Sequence, residues 1–237
     1  MAWERNKNVP LPSVWREFVS KTNRKYWIQD ITEEYKDIIA SYMAYGFSKD
    51  EPLCKFSHAT TYAEYLKIAY NFWRKCVDQN MGLICFTKDE DGDWKIAGMN
   101  CTVVSTIDEE YEKFENKCLN KIISTITYVT KQVDAFETLK IDKYLSALGL
   151  FVLPEFRGEG IGLELLKARE PLCKACGIKV SCTVFTSLFS QVIATKAGFK
   201  DLYDISYSEL EKRNPLFKFP GIQEHTTNIK FMYIKYE

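Results

Sequence analysis

Histidine is nearly absent from this chain: of 237 residues, only His58 and His225 carry an imidazole. A histidine-based metal centre or a Ser-His-Asp triad therefore has little to be built from. Net charge is missing too, since 32 basic residues face 32 acidic ones. That balance argues against a polyanion-binding surface and so against a nucleic-acid partner. No apolar run approaches the roughly 20 residues of a membrane span. The first residues, Met1-Ala2-Trp3-Glu4-Arg5-Asn6-Lys7, lack the apolar core of a signal peptide. A cytoplasmic protein without a membrane partner is expected. Cysteine is not scarce, but its arrangement excludes its usual uses. The eight cysteines fall mostly within apolar patterns, and Cys173-Lys174-Ala175-Cys176 has neither a second pair nor a nearby histidine to complete a zinc site. That pair also lies late in a helical pattern, away from the helix start that would lower a thiol pKa. Reduced, structural thiols and no bound metal follow.

What is present suits one α/β domain. Hydrophobic residues make up 46% of the chain, enough for a sizeable core in a chain of this length. Residues 1–25 are polar, contain Pro10 and Pro12, and read as an arm over the surface; residues 26–237 read as the domain. Strand patterns fall at 26–31, 83–87, 96–105, 144–153, 179–185, 199–207 and 231–236. Helical patterns cover 33–47, 61–79, 160–176 and 187–196, and a charged, then helical insertion occupies about 108–140. Residues 46–52 and 214–228 read as loops, and the acidic run from Asp89 to Asp93 as a hairpin turn. The alternation predicts a mixed sheet of about seven strands with helices on both faces.

The most informative stretch is 148–163. An apolar strand pattern meets Pro154, then Arg157, Gly158, Glu159, Gly160, Ile161 and Gly162, and a helical pattern starts at once. Glycines allow close backbone approach, and the free N–H groups and dipole of the helix start attract an anion. A P-loop would need Lys-Ser or Lys-Thr after the last glycine, where Leu163-Glu164 stands. A dinucleotide fingerprint would need G-x-G-x-x-G, whereas the glycines are spaced G-x-G-x-G.

Arg157-Gly158-x-Gly160-x-Gly162 after a strand resembles the acetyl-CoA pyrophosphate loop of the GNAT N-acetyltransferases, Gln/Arg-x-x-Gly-x-Gly/Ala. Thr195-Lys196-Ala197-Gly198-Phe199 is similar to the Gly-Phe helix end of that family, and the order of elements agrees with its fold from about residue 26 onward. Phe47-Ser48-Lys49-Asp50-Glu51-Pro52-Leu53 resembles the Phe-x-Lys-Asp-Glu-Pro-Leu segment of insect arylalkylamine N-acetyltransferases.

The resemblance implies acetyl-CoA as co-substrate, a small-molecule amine as acceptor and direct transfer in a ternary complex; the neutral charge and apolar composition are compatible with a monomer or a homodimer. It implies Glu51 as general base for an amine that, with a pKa of about 10, arrives protonated. It implies backbone donors around Phe151, Val152 and Leu153 for the acetyl carbonyl and pantetheine amides. It places Ser187 where relatives carry a CoA-contacting Asn, and Ser190 at a serine of catalytic interest in the insect group. Ala194 stands where many relatives have a tyrosine acid, a departure from the family pattern. A coenzyme A thiol, with a pKa of about 8 to 9, can leave without one. Tyr203 and Tyr207 are weaker acid candidates, and Cys54 a weak nucleophile candidate with only His58 near it in sequence. Tyr42, Tyr45, Phe47, Phe189, Phe217 and Phe219 are candidates to cradle an aryl ring. Dopamine, tyramine, serotonin and octopamine are the amines implied first. Aliphatic amines such as polyamines or agmatine, and histamine, are alternatives. A CoA-binding module without catalysis is the reading from a different class.

Overall fold

The computed structural model describes residues 3–107 and 115–237. The start of the expected insertion, 108–114, lies outside the described residues. In chain order the elements begin with β1 (Val14–Val19), β2 (Lys25–Asp30) and α1 (Glu33–Ser41). A π-helical turn (Tyr42–Phe47) then leads into α2 (Ser48–Asp50), α3 (Pro52–Lys55) and α4 (Ala63–Cys76). Next come β3 (Leu83–Lys88), β4 (Trp94–Thr106), α5 (Lys117–Thr130), α6 (Ala135–Leu139) and β5 (Lys143–Val152). The chain ends with α7 (Ile161–Ala175), β6 (Val180–Phe185), α8 (Leu188–Lys196), β7 (Lys200–Ser206), α9 (Tyr207–Arg213) and β8 (Asn228–Lys235).

The strands form one mixed sheet in the order β1-β2-β3-β4-β5-β6-β8-β7, in which β5 and β6 are parallel and the other neighbours antiparallel. α7 packs on one face. The π turn and α4 pack on the other, so closely that a Cβ on Gly149 of β5 would sit 2.5 Å from Met43 Cε and 2.8 Å from Trp73. Any larger residue there would have to push Met43 and Trp73 aside.

Three readings need correction. Residues 1–25 are not a loose arm, because Val14–Val19 forms an edge strand paired with β2. Its apolar residues fall in adjacent pairs, Val14-Trp15 and Phe18-Val19, without the period-2 alternation that marks a strand in sequence. Residues 46–52 are not a loop: helix continues through the π turn to Asp50, and α3 starts at Pro52. Tyr207, expected as the last residue of a strand, instead opens α9 (Tyr207–Arg213), which the sequence reading left unassigned beyond it and which is capped by Ser206 Oγ accepting from the Glu209 N–H.

The N-terminal segment is fastened by a buried ion pair. Arg5 donates to both carboxylate oxygens of Asp30, at 2.7 and 3.0 Å, and also to the Asn80 carbonyl. The same carboxylate accepts from the Ser13 N–H and from Trp15 Nε1, both at 2.8 Å. Asp30 is fully buried, so removing it strands Arg5 and two further donors. Asp30→Ala should cost about 3–5 kcal/mol, the usual penalty for breaking a buried pair. Chemical denaturation checks this, and a loss below about 1 kcal/mol would show that the segment is not so fastened.

Candidate functional site

The site is built where the sheet comes apart. β5 and β6 pair in parallel only from Leu145/Ser181 to Ala147/Thr183. Beyond that point β5 stays on β4, while β6 stays on β8 as far as Phe185. A bulge falls at the same place: Cys101 faces Gly149 and Thr102 faces Ala147, leaving Leu148 as the extra residue. The result is a cleft of about 2190 Å³ that reaches both faces of the sheet.

One wall is the free edge of β5. The Leu153 N–H donates to Ala97 O on β4 at 3.0 Å, and Phe151 lies opposite Met99. Because antiparallel partners alternate between facing in and facing out, Phe151 and Leu153 spend their N–H groups on β4, while Leu150 and Val152 turn theirs into the cleft. The expected donor set 151–153 is therefore corrected: of the three, only Val152 faces the opening, and Leu150 joins it. The Phe151 ring still lines the cleft.

The glycine loop closes one end. Gly158 and Gly160 have φ of +84° and +85°, a conformation that strains other residues, and an added Cβ there would meet nothing within 4 Å. The backbone thus selects glycine, and the space in front of it stays open. Gly160 caps α7 without a side-chain bond, and the N–H groups of Gly158, Glu159 and Gly160 have no backbone partner among the described residues. With the free N–H groups of Ile161 and Gly162 in the first helical turn, they form a concave run of donors suited to a pyrophosphate.

The loop's charged side chains point elsewhere. Glu159 accepts from Thr22 Oγ1 in the β1–β2 turn, and the hydroxyls of Ser20 and Thr22 hold its carboxyl below the usual range. Arg157 bends towards the opposite wall: its Nε donates to Val152 O at 3.1 Å, its guanidinium lies 5.8 Å from the Phe151 ring centroid, and it pairs with Asp50. Both partners of that pair are about half exposed, so it contributes only about 0.2–1 kcal/mol. An arriving phosphate can compete for Arg157.

Glu51 sits between α2 and α3. Its extended backbone lets it serve as N-cap, and Pro52 takes the first helical position, where no N–H is needed. Its Oε2 accepts from the Cys54 N–H at 2.7 Å, whereas Oε1 is buried with no partner. Glu51, the glycine loop, Ser187 and Ser190 all line the one cleft. The two serines form a capping box on α8: Ser187 Oγ accepts from the Ser190 N–H at 3.1 Å, and Ser190 Oγ accepts from the Ser187 N–H at 3.3 Å.

Of the candidate aromatics, Phe47 and Phe189 line the cleft; Phe47 packs edge-on to Trp73 at 5.5 Å. Tyr42 and Tyr45 border a separate shallow depression, and Phe217 and Phe219 are buried in the core. Trp73 and Phe72 also line the cleft, as part of the apolar stripe of α4. Tyr207 is no acid. It is buried, its hydroxyl donates to Thr186 O at 2.8 Å, and burial and then the charge of Glu51 push its pKa well up. Cys54 Sγ lies 3.3 Å from Tyr65 OH, and burial and Glu51 push its thiol up, the reverse of nucleophile activation.

The family model described as the acetyltransferase (GNAT) family matches residues 3–199. Among curated protein sequences, none matches the chain. A crystal structure designated insect arylalkylamine N-acetyltransferase 7, from the yellow fever mosquito Aedes aegypti, superposes with a TM-score of 0.93 at 34% identity, covering 99% of this chain and 100% of that one. Arylalkylamine N-acetyltransferase 2 of the same mosquito gives 0.77 at 22% identity over 90% and 99%. A Drosophila melanogaster polyamine N-acetyltransferase that forms N-acetylagmatine gives 0.72 at 15% over 89% and 99%. The last two are alike in fold alone.

The thiols supply a test of the site's chemistry. Burial pushes Cys54, Cys85, Cys173 and Cys182 above the ordinary value of 9.0. At neutral pH, iodoacetamide should modify the half-buried Cys118 and Cys176 first and leave Cys54 untouched in the folded protein. Peptide mass spectrometry checks this, and early labelling at Cys54 would contradict it. Unfolded thiols ionise near their ordinary value while the native ones stay protonated. Stability should therefore fall as pH rises through about 9, a trend that denaturation midpoints report.

Proposed function

Since the chain belongs to the acetyltransferase (GNAT) family, and is thus an acyltransferase, we propose that it moves the acetyl group of acetyl-CoA to a small primary amine, most directly an arylalkylamine. The observation that carries this reading is the Glu51 carboxylate, whose Oε2 is fixed by the Cys54 N–H and whose Oε1 is buried without a partner, on a residue that lines the cleft the glycine loop closes. An ammonium ion donates to such an oxygen and can lose its proton to it. Acetyl-CoA supplies the activated acetyl group. The donor run at residues 158–162 and a released Arg157 hold its phosphates, and the free N–H groups of Leu150 and Val152 bind amides and stabilise negative charge on the acetyl oxygen. Glu51 takes the amine proton directly or through a water. Ser187 and Ser190 keep the start of α8 in place, with their hydroxyls at the cleft wall. With Ala194 in the acid position and Tyr207 committed to Thr186 O, the thiolate leaves unassisted.

The aryl preference rests on Phe47, Phe72 and Trp73 in the cleft and on the likeness to the mosquito protein designated an arylalkylamine N-acetyltransferase. One observation favours aliphatic diamines as the second reading. Asp50, beside Glu51, would offer a second carboxylate to a second ammonium once Arg157 turned to phosphate.

An acetyl-CoA consumption screen over aryl and alkyl amines tests the proposal. Turnover of arylalkylamines above alkylamines is expected, the reverse order would move the substrate to diamines, and no turnover on any amine would leave a binding module. Glu51→Gln keeps the helix cap but removes the base, and should lower kcat by about 10²- to 10⁴-fold with acetyl-CoA binding retained. Unchanged turnover across a pH series would remove Glu51 from the mechanism. Arg157→Ala should weaken acetyl-CoA binding by about tenfold or more, the loss of one charge-assisted contact. Equal affinity by calorimetry would refute the role given to Arg157.

A further inference from the structure

Arg169 lies in the third turn of α7 on the side that faces the sheet, and is 1% exposed. Taking a guanidinium out of water costs several kcal/mol unless it is paired. Among the described residues it has no carboxylate partner. The acidic groups that act on it, Tyr236 and Cys173, are themselves pushed upward by burial and stay neutral at pH 7. Burial draws Arg169 down to about 10, so it remains a cation. A buried cation with no carboxylate beside it, held by neutral hydrogen-bond acceptors and the Phe199 ring 5.8 Å away, is expensive to keep, and its contacts indicate what it is kept for.

Those contacts bracket the point where the sheet divides. Arg169 Nε donates to Asn100 Oδ1 on β4 at 2.8 Å. Its Nη1 donates to Thr183 Oγ1 on β6 at 2.9 Å, with Ser181 Oγ at 3.4 Å. Thr183 is the last β6 residue in the parallel ladder. Asn100 uses its own amide to donate to Gly149 O at 2.8 Å, one residue after the bulge, and Ser181 donates to Leu145 O at 2.9 Å, before it. A single rigid fork thus joins β4 to β6 and, through two relays, both sides of the bulge in β5. Arg169 and Thr183 also border the cleft.

We propose that Arg169 is a positioning residue whose fork sets the separation of β5 and β6, and with it the width of the slot that takes the pantetheine arm of acetyl-CoA. The inference rests on the acetyl-CoA reading above. The glycine loop lies at the other end of the slot and binds the phosphates without Arg169. Losing the fork therefore affects the arm and spares the nucleotide. Lysine presents a point charge rather than a planar fork and cannot span both strands, and methionine fills the volume with no donor at all.

The test compares two probes by calorimetry: acetyl-CoA, and adenosine 3′-phosphate 5′-diphosphate, which lacks the arm. Replacing a buried charge by an apolar side chain of similar size is often neutral for stability, so Arg169→Met should fold. It should hold the nucleotide within about twofold of the parent while losing about tenfold or more in acetyl-CoA affinity. KM for acetyl-CoA should rise with KM for the amine unchanged, and Arg169→Lys should not restore the donor. Unchanged acetyl-CoA affinity, or a parallel loss of both probes, would overturn the proposal, the second by showing general loosening. If neither Arg169 variant folds, Thr183→Val decides by the same selective loss or its absence. If the parent protein binds the nucleotide but gains nothing from the acetylated arm, the acetyl-CoA reading fails instead, before any variant is made.

Discussion

The whole site follows from one constraint on backbone hydrogen bonding: a strand that loses its neighbour must find other partners for its N–H and C=O groups. β5 loses β6 after Ala147, yet it remains buried in the sheet through β4. Its outward N–H groups at Leu150 and Val152 are then surplus donors in an apolar wall, which is a binding site before any side chain is counted. The Val152 carbonyl is satisfied by Arg157, five residues further on. The glycine loop and the start of α7 come next in sequence, at the carboxyl end of the same strand, where parallel sheets commonly place their ligands.

On the acetyl-CoA reading proposed above, that origin is how a chain with no net charge would hold a highly charged co-substrate. The attraction comes from oriented N–H groups and a helix terminus rather than from a field of lysines, so it acts at short range. Arg157 adds one mobile cation, parked on Asp50 by a half-exposed pair that costs little to break. Asp50 is the immediate neighbour of Glu51. The proposed phosphate site and the surroundings of the Glu51 carboxylate are thus joined through the Arg157–Asp50 pair.

Much of this was legible in the sequence. The strand, breaker and glycines at 148–163 announced an anion site, and the structure has free N–H groups at that place. The segment around Glu51 lines the cleft, and its helical form has no clear trace in the sequence because one extended residue between two short helices looks like a loop. β1 is not legible because its apolar residues, Val14-Trp15 and Phe18-Val19, come in pairs rather than alternating. The identity of the β5 donors depended on which residues face β4, and strand periodicity does not reveal hydrogen-bond phase. Arg157 and Asp50 were each noticed, but a contact across 107 positions has no local trace. Arg169 sat unremarked in a helical stripe, where a lone arginine normally signals solvent.

The π turn at Tyr42–Phe47 has a bearing on how this segment can evolve. A π turn holds one more residue than the α turn it replaces, and each residue of an α-helix rotates the chain by about 100°. The wide turn takes up that extra residue locally, so the helix beyond it keeps the phase of an unbroken α-helix, including the direction in which Glu51 leaves α2. Substitutions along the turn change packing a little at a time. Deleting one residue within it can close it to an ordinary α turn and leave the carboxylate on its side of the axis, whereas the same deletion in α1 would swing it by about 100°. A change of length is best absorbed at the wide turn itself.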